Sequence, residues 1–147
     1  MPSATTSNYL HAKFMDTLLK GSSWSAPSNL YVALFTTAPA LDGTGGTEVS
    51  TSGTAYARVL AGPTDGIGSD CWTGPSGSNQ EYSNVTELTF GVPTANWGTI
   101  VAAGIYDASS GGNLMYVATL ATSKVVNNGD GAPRILANQL KISRATC

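Results

Sequence analysis

The apolar positions of this chain change period near Pro27. Before it, Leu10, Phe14 and Leu18 recur every four residues, with Met15 and Leu19 widening the stripe. That spacing predicts an amphipathic helix over residues 7–20. Ser7 or Asn8 can cap its start, and Gly21 can take the left-handed position that ends it. Lys13 and Asp16 sit on the opposite face. A helix this short is marginal alone, so its apolar stripe must pack on the domain's own sheet or on a neighbouring subunit.

After Pro27 the period becomes two. Leu30, Val32 and Leu34 alternate with Tyr31, Ala33 and Phe35. Both faces are apolar, as expected of a central strand. Residues 36–55 read as a long Gly/Thr/Ser loop, and residues 56–61 as a short strand with Arg58 outward. Residues 62–84 read as a second long loop containing Asp65, Asp70, Cys71 and Trp72. Loops longer than about 15 residues are usually functional or mobile, so subunit contact is expected there first. Residues 85–92 alternate again, with Leu88, Phe90 and Val92 on one face. Residues 99–107 form a strand with Ile100, Val101 and Ile105 as expected core. The run from Asp107 through Gly111, Gly112 and Asn113 is a turn, and residues 114–120 return as the partner strand. Residues 123–126 read as a strand fragment, 127–131 as a turn, and 135–142 as the last strand.

Six to eight short strands, one helix and no alternation of strand with helix point to one domain spanning residues 1–147. The expected class is all-β: an antiparallel β-sandwich of jelly-roll or Greek-key type over residues 28–143, preceded by one short N-terminal helix. No fixed-period repeat is present, which disfavours propellers and solenoids.

Charge alters this picture most. Asp, Glu, Lys and Arg make up 11% of the 147 residues, against about 25% in ordinary soluble domains. Ser, Thr, Gly and Asn take their place, and such a surface can be covered by a partner at little desolvation cost. It also keeps monomers apart poorly, which suits an assembly. The 7 basic and 9 acidic residues are spread thinly, so no basic run favours nucleic acid. No apolar run approaches the ~20 residues of a membrane helix. The first residues lack the basic start and apolar stretch of a signal peptide. The expectation is therefore a chain made in a cytoplasm, with no nucleic-acid or membrane partner.

Catalytic chemistry finds little support. His11 is the one histidine, and it has no nucleophile elbow to serve. Glu81, Glu87, Asp107 and Asp65 are the candidates for a glycosidase pair, but Asp107 is better explained as a turn starter. Cys71 and Cys147 with a single His do not compose a zinc site. Two free thiols are favoured over a disulfide, which non-reducing electrophoresis would decide. The glycine clusters lack the residues that complete a phosphate or calcium loop, so no cofactor or metal is expected. Trp24, Trp72 and Trp97 read as core or interface before sugar platforms. Trp97 followed by Gly98 can cover a strand end where the backbone bends. Gly111 and Gly112 permit the positive φ of a tight turn. Arg58 can pair with Glu48 across the loop between them.

The order of short motifs resembles a family of small tailed-phage virion proteins. Leu34-Phe35-Thr36-Thr37-Ala38-Pro39 is followed by Gly46-Thr47-Glu48-Val49-Ser50 and Ala55-Tyr56-Ala57-Arg58. Then come Leu88-Thr89-Phe90, Ala95-Asn96-Trp97-Gly98-Thr99, Gly104-Ile105-Tyr106-Asp107-Ala108 and Gly111-Gly112-Asn113-Leu114. A last strand follows a turn like Asn127-Asn128-Gly129-Asp130. Each motif alone is weak, and their order is the specific signal. Members of such a family are described as tail-fibre-like, minor tail or simply structural proteins, so the resemblance implies a virion component and carries no catalytic residues. Residues 62–84 and Ala132-Pro133-Arg134 depart from the pattern.

The expected function is accordingly non-enzymatic. The leading expectation is a capsid decoration, or cement, protein that binds the coat as a homo-oligomer, a trimer being one option, with the major capsid protein or other virion proteins as partners. The alternative is a tail or tail-fibre component that contacts the host surface. A carbohydrate-binding module relying on Trp72 is a third class. Leu10, Phe14, Leu18, Cys71 and Trp72 are the candidate interface residues; Asp107, Gly111, Gly112, Trp97 and Gly98 are the candidate turn residues.

Overall fold

The structure is a computed structural model that describes residues 4–143. Helix α1 runs Asn8–Lys20. Ser7 supplies the cap: its Oγ accepts the Leu10 N–H at 3.1 Å and donates to the Leu114 carbonyl oxygen. The Ser7 backbone N–H bonds the Met115 carbonyl at 2.8 Å, so one residue both starts the helix and fastens it to the sheet. Gly21 ends the helix at φ 67°, and Ser22 N–H returns to the Asp16 carbonyl. Both helix ends follow the expected capping chemistry.

Eleven strands are present among the described residues. The broad sheet has the order β1-β9-β8-β2-β3, built from β1 (Thr5–Thr6), β9 (Leu114–Val126), β8 (Gly98–Tyr106), β2 (Tyr31–Thr37) and β3 (Thr47–Glu48), with β4 (Val59–Leu60) pairing the other end of β2. The β8–β9 hairpin is its spine. Registers such as Ile105↔Tyr116 and Ala102↔Thr119 continue past an irregularity to Gly98↔Val126. β2 lies inside the sheet as its two apolar faces require, with Val32, Ala33, Leu34 and Phe35 all buried.

Two small antiparallel sheets complete the molecule: β7 (Leu88–Thr89) with β10 (Arg134–Ile135), and β5 (Trp72–Ser76) with β6 (Glu81–Asn84) and β11 (Lys141–Ile142). Their residues Leu88, Trp72, Ile135 and Ile142 pack with Val32, Leu34, Ile100 and Ile105 of the broad sheet in one core. The opposite face of the broad sheet holds a second cluster, Ala33, Phe35, Ala102, Tyr106, Leu114 and Val117. The class is thus the expected all-β sandwich of antiparallel sheets, with a single short helix among the described residues.

Several boundaries differ from expectation. Six strands are only two residues long, too short for alternation to reveal. The 36–55 loop contains β3, which pairs Phe35↔Glu48. Residues 56–61 contribute only β4. Residues 62–84 are not one open loop, because they hold the β5–β6 hairpin. The expected last strand splits into β10 and β11 around Asn138, whose φ is 64°. The strand fragment at 123–126 is the far end of β9. Val92 is exposed rather than packed with Leu88 and Phe90, since β7 ends at Thr89 and the chain turns away. Ile100 and Ile105 are core as expected, whereas Val101 is half-buried beside the irregularity in the β8–β9 register.

Candidate functional site

The most conspicuous surface feature is α1. Leu10 alone is buried against the domain. Farther along, Phe14 is 48% exposed, Met15 37%, Leu18 77% and Leu19 70%. At 3.6 residues per turn these four occupy one continuous arc. Trp24, partly buried against the core, meets Phe14 edge to face with ring centroids 5.8 Å apart. It fixes the inner border of the patch, a role that the spacing of the helix alone does not reveal. The helix cations turn elsewhere. Lys13 Nζ lies 5.4 Å from the Tyr9 ring centroid, and Lys20 bonds Asp16 at 2.7 Å. That pair holds the Asp16 carboxyl below its usual pKa, first through the hydrogen bond from Lys20 and then through its charge.

A second constellation braces one end of the sandwich. Arg58 reaches Glu48 through Nε and Nη2, each at 2.8 Å, and its Nη1 donates to the carbonyls of Ala108 and Gly111 in the β8–β9 turn. The guanidinium lies over the Tyr106 ring, 3.8 Å from its centroid. The pairing expected from sequence is present, but the outward placement of Arg58 is not: its side chain is 7% exposed, because the ring and the turn close over it. Burial acts to lower the Arg58 pKa, yet the Glu48 hydrogen bond and charge outweigh it and the net shift is upward. Tyr56 joins the cluster. Its hydroxyl donates to Glu48 at 2.8 Å and accepts the Leu34 N–H at 2.9 Å. Burial, followed by the Glu48 charge, drives its pKa upward despite the Leu34 bond. Nothing in the residue spacing singled out Tyr56 as the hub of this cluster.

The turn residues behave as their types dictate. Asp107 accepts from Asn113 N at 2.6 Å and from Asn113 Nδ2 at 2.8 Å. Gly111 and Gly112 have φ of 61° and 75°. A Cβ on Gly112 would collide with Asp107 and Ala108, whereas one on Gly111 would meet nothing. Trp97 is buried, donates Nε1–H to the Thr54 carbonyl at 2.8 Å, and sets its ring edge to face with Tyr56. Gly98 begins β8 at φ 90°.

Other candidates move inward. Cys71 is completely buried, and Leu10 packs in the core, so neither side chain forms part of the open surface. Trp72 is half-buried against the same core, with its Nε1–H on the Gly66 carbonyl at 2.7 Å; this is a poor start for a sugar platform. Cys147 lies outside the described residues. Phe14 and Leu18 alone of the five candidate interface residues stand open to contact.

The carboxylates weighed for hydrolysis are each engaged with a neighbour. Glu81 pairs with Lys141 at 2.9 Å, Glu87 faces Arg134 at 3.4 Å, Asp107 holds Asn113, and Asp65 accepts the Ile67 N–H. Among the described residues no three of His, Cys, Asp and Glu gather as a metal site requires, and no helix is long and apolar enough to cross a membrane. A cleft of about 100 Å³ opens between the broad sheet and β10, walled by Leu34, Phe90, Ile100 and Ile135 with Lys124 and Arg134 in its lining. Its walls are mostly apolar, and no carboxylate, hydroxyl or thiol side chain lines it.

No curated protein sequence matches the chain significantly. A family model described as Podophage GP4 fiber I protein gp80 matches residues 5–143. The match takes in the capped helix, the β8–β9 spine and both small sheets, and it contains the shorter span, Leu30 to Ile142, over which the motif order resembles tailed-phage virion proteins. The chain therefore belongs to the podophage GP4 fiber I protein gp80 family, a family of tailed-phage virion structural proteins.

Proposed function

We propose that this protein is a non-enzymatic building block of a fibre on a tailed-phage particle, held there by packing against other virion chains. One observation carries the reading: in a member of a fibre family, a helix capped at both ends presents Phe14, Met15, Leu18 and Leu19 to solvent. Large apolar side chains gathered on one rigid face mark contact surfaces in soluble proteins. The engaged carboxylates support the absence of hydrolytic chemistry, and the Arg58 brace suits a part that bears load rather than one that opens and closes.

Decoration of the capsid shell is the second reading. It is favoured by the 11% charged composition, which suits settling on a coat. A cement protein binds only the assembled shell, so mass action stabilises that state, and many weak contacts add through multivalency. Immunogold labelling of purified particles with an antibody to this chain, combined with copy-number determination by quantitative mass spectrometry, separates the two. Label on the fibres with tens of copies or fewer supports the fibre reading. Label over the head with hundreds of copies favours decoration. Particles without the chain overturn both.

A further inference from the structure

We propose that the cleft between the broad sheet and β10 is a docking site for an extended segment of another virion chain, which seats one apolar side chain there and sets a carboxylate beside Lys124 and Arg134. The proposal rests on the reading of the protein as a virion building block and gives the chemistry of one of its partners.

Size limits the occupant. The cleft encloses about 100 Å³, with Leu34 and Ile100 on one wall and Phe90 and Ile135 on the other. An apolar cavity of about 150 Å³ takes a single benzene ring, whereas free ligands of drug size use about 300–1,000 Å³. The space therefore fits one anchoring side chain rather than a whole molecule. A second cleft of about 410 Å³ adjoins it, sharing Lys124, Val126 and Pro133 and continuing to Asp130. A chain anchored at one residue can run on through that second space.

The backbone around the cleft also calls for a polypeptide. Among the described residues β9 has β1 beside it only at Tyr116 and Val117, and β10 has β7 as its single neighbour. Both strands that border the cleft thus keep a free edge, the arrangement that accepts an added strand. β9 is irregular at this point. β8 advances two residues from Ile100 to Ala102 while β9 covers five from Lys124 to Thr119. The excess lies in residues 120–123. Leu120 at its start and Lys124 just past its end both line the cleft, and bulges re-aim side chains in this way.

Charge completes the description. Lys124 and Arg134 line the cleft and no acid does. Lys124 is exposed, and its ammonium makes no hydrogen bond or ion pair among the described residues. Arg134 meets Glu87 through Nη1 alone at 3.4 Å, and its side chain is 61% exposed. Asp130, on the adjoining cleft, is engaged by the Asn127 N–H at 2.8 Å. Two cations at the mouth of an apolar slot select a carboxylate next to the anchor.

The test titrates the full chain with two capped peptides, Ac-Val-Leu-Asp-Val-NH2 and Ac-Val-Phe-Asp-Val-NH2, and follows the backbone amides by heteronuclear NMR. At least one peptide should bind with a dissociation constant of about 1 mM, with the largest shifts at Leu120, Lys124, Arg134 and Ile135. Asn in place of Asp in the peptide should weaken binding roughly fivefold, the worth of exposed charge pairs. Lys124→Gln with Arg134→Gln in the protein should do the same with the melting temperature nearly unchanged, since both side chains are largely in water. Isocaproate and hydrocinnamate, which carry a similar apolar body and a carboxylate without a peptide backbone, should bind more weakly than the peptides. No shift at the cleft with either peptide overturns the proposal, as does binding indifferent to both charge changes. A free acid that binds as tightly as the peptides also overturns it, because the cleft would then be a small-molecule site. None of these results touches the fibre reading, which stands if antibody finds the chain on the fibres and fails if the particle lacks it.

Discussion

The carboxylate of Glu48 and the guanidinium of Arg58 face each other through two hydrogen bonds of 2.8 Å, ten residues apart in sequence and almost shut off from water on the arginine side. The pair does not act alone. Arg58 also holds two carbonyls of the β8–β9 turn, and Glu48 accepts the Tyr56 hydroxyl, which in turn accepts the Leu34 N–H, so β2, β3, the loop before β4 and the main hairpin meet at one ionic node. Removing one member leaves the others desolvated without partners, which is the costly direction for a buried pair.

Arg58→Met is therefore expected to lower stability by about 3 kcal/mol, the range for breaking a buried ion pair. Arg58→Lys keeps the charge but loses the planar fork and the contact on Tyr106, and should cost roughly 1.5–3 kcal/mol, the worth of hydrogen bonds to a charged group. Urea unfolding of both variants, of Glu48→Gln and of the double Glu48→Gln/Arg58→Met checks this. The double variant should lose less than the sum of the singles. Additive losses would mean that the two side chains do not act as a pair.

The two turn glycines should separate. Both adopt left-handed φ, so Gly111→Val is expected to cost more than about 1 kcal/mol for the branched residue alone. Gly112→Ala should cost more than Gly111→Ala, because only at 112 does an added Cβ strike Asp107 and Ala108. Thermal melts of the two alanine variants decide the order, and equal shifts would remove the steric argument.

Ser7→Ala tests the anchoring of α1. It deletes both the cap on Leu10 N and the bond to Leu114 O. A loss of about 1–2 kcal/mol is expected, with faster amide exchange spreading from residues 8–11. Exchange unchanged in that turn would show that the helix is held by Leu10 packing alone.

Alkaline pH should destabilise the fold. Burial raises the pKa of Tyr56 first of all, and those of Tyr106 and Tyr116 likewise. A folded pKa above the unfolded value means that the protonated phenol is favoured by folding. The contribution is complete below the unfolded tyrosine pKa of about 10 and is lost as pH rises past it. Melting temperature should stay level to about pH 9.5 and then fall as exposed phenols of the unfolded chain ionise. A flat profile to pH 11 would contradict this environment for the tyrosines.

What was legible in the sequence follows from length and local chemistry. Helix α1 could be read because Ser7, Gly21 and the four-residue apolar spacing agree with one another. β2, β8 and the start of β9 could be read because seven or more residues allow a period of two to show. The two-residue strands could not, since a pair of residues has no period and tertiary packing decides what they join. The β5–β6 hairpin hid behind Gly, Ser and Pro, residues that also spell loop. Cys71 and Trp72 read as interface candidates for that reason, while within the chain the core beneath the hairpin buries Cys71 and half-buries Trp72. The Arg58–Glu48 contact was legible as a pairing of opposite charges; its burial depended on Tyr106, nearly fifty residues downstream. On α1 the sequence marks which positions are apolar, but only the fold reveals that the domain covers Leu10 and leaves Phe14 through Leu19 open.

The central claim, that this is a virion building block docked through α1, is tested most directly by a cryo-electron-microscopy reconstruction of the phage fibre at side-chain resolution. The account predicts density for this sandwich in the fibre with Phe14, Met15, Leu18 and Leu19 enclosed by protein. Density in which that face of α1 points into solvent, or a fibre from which the chain is missing, would contradict it.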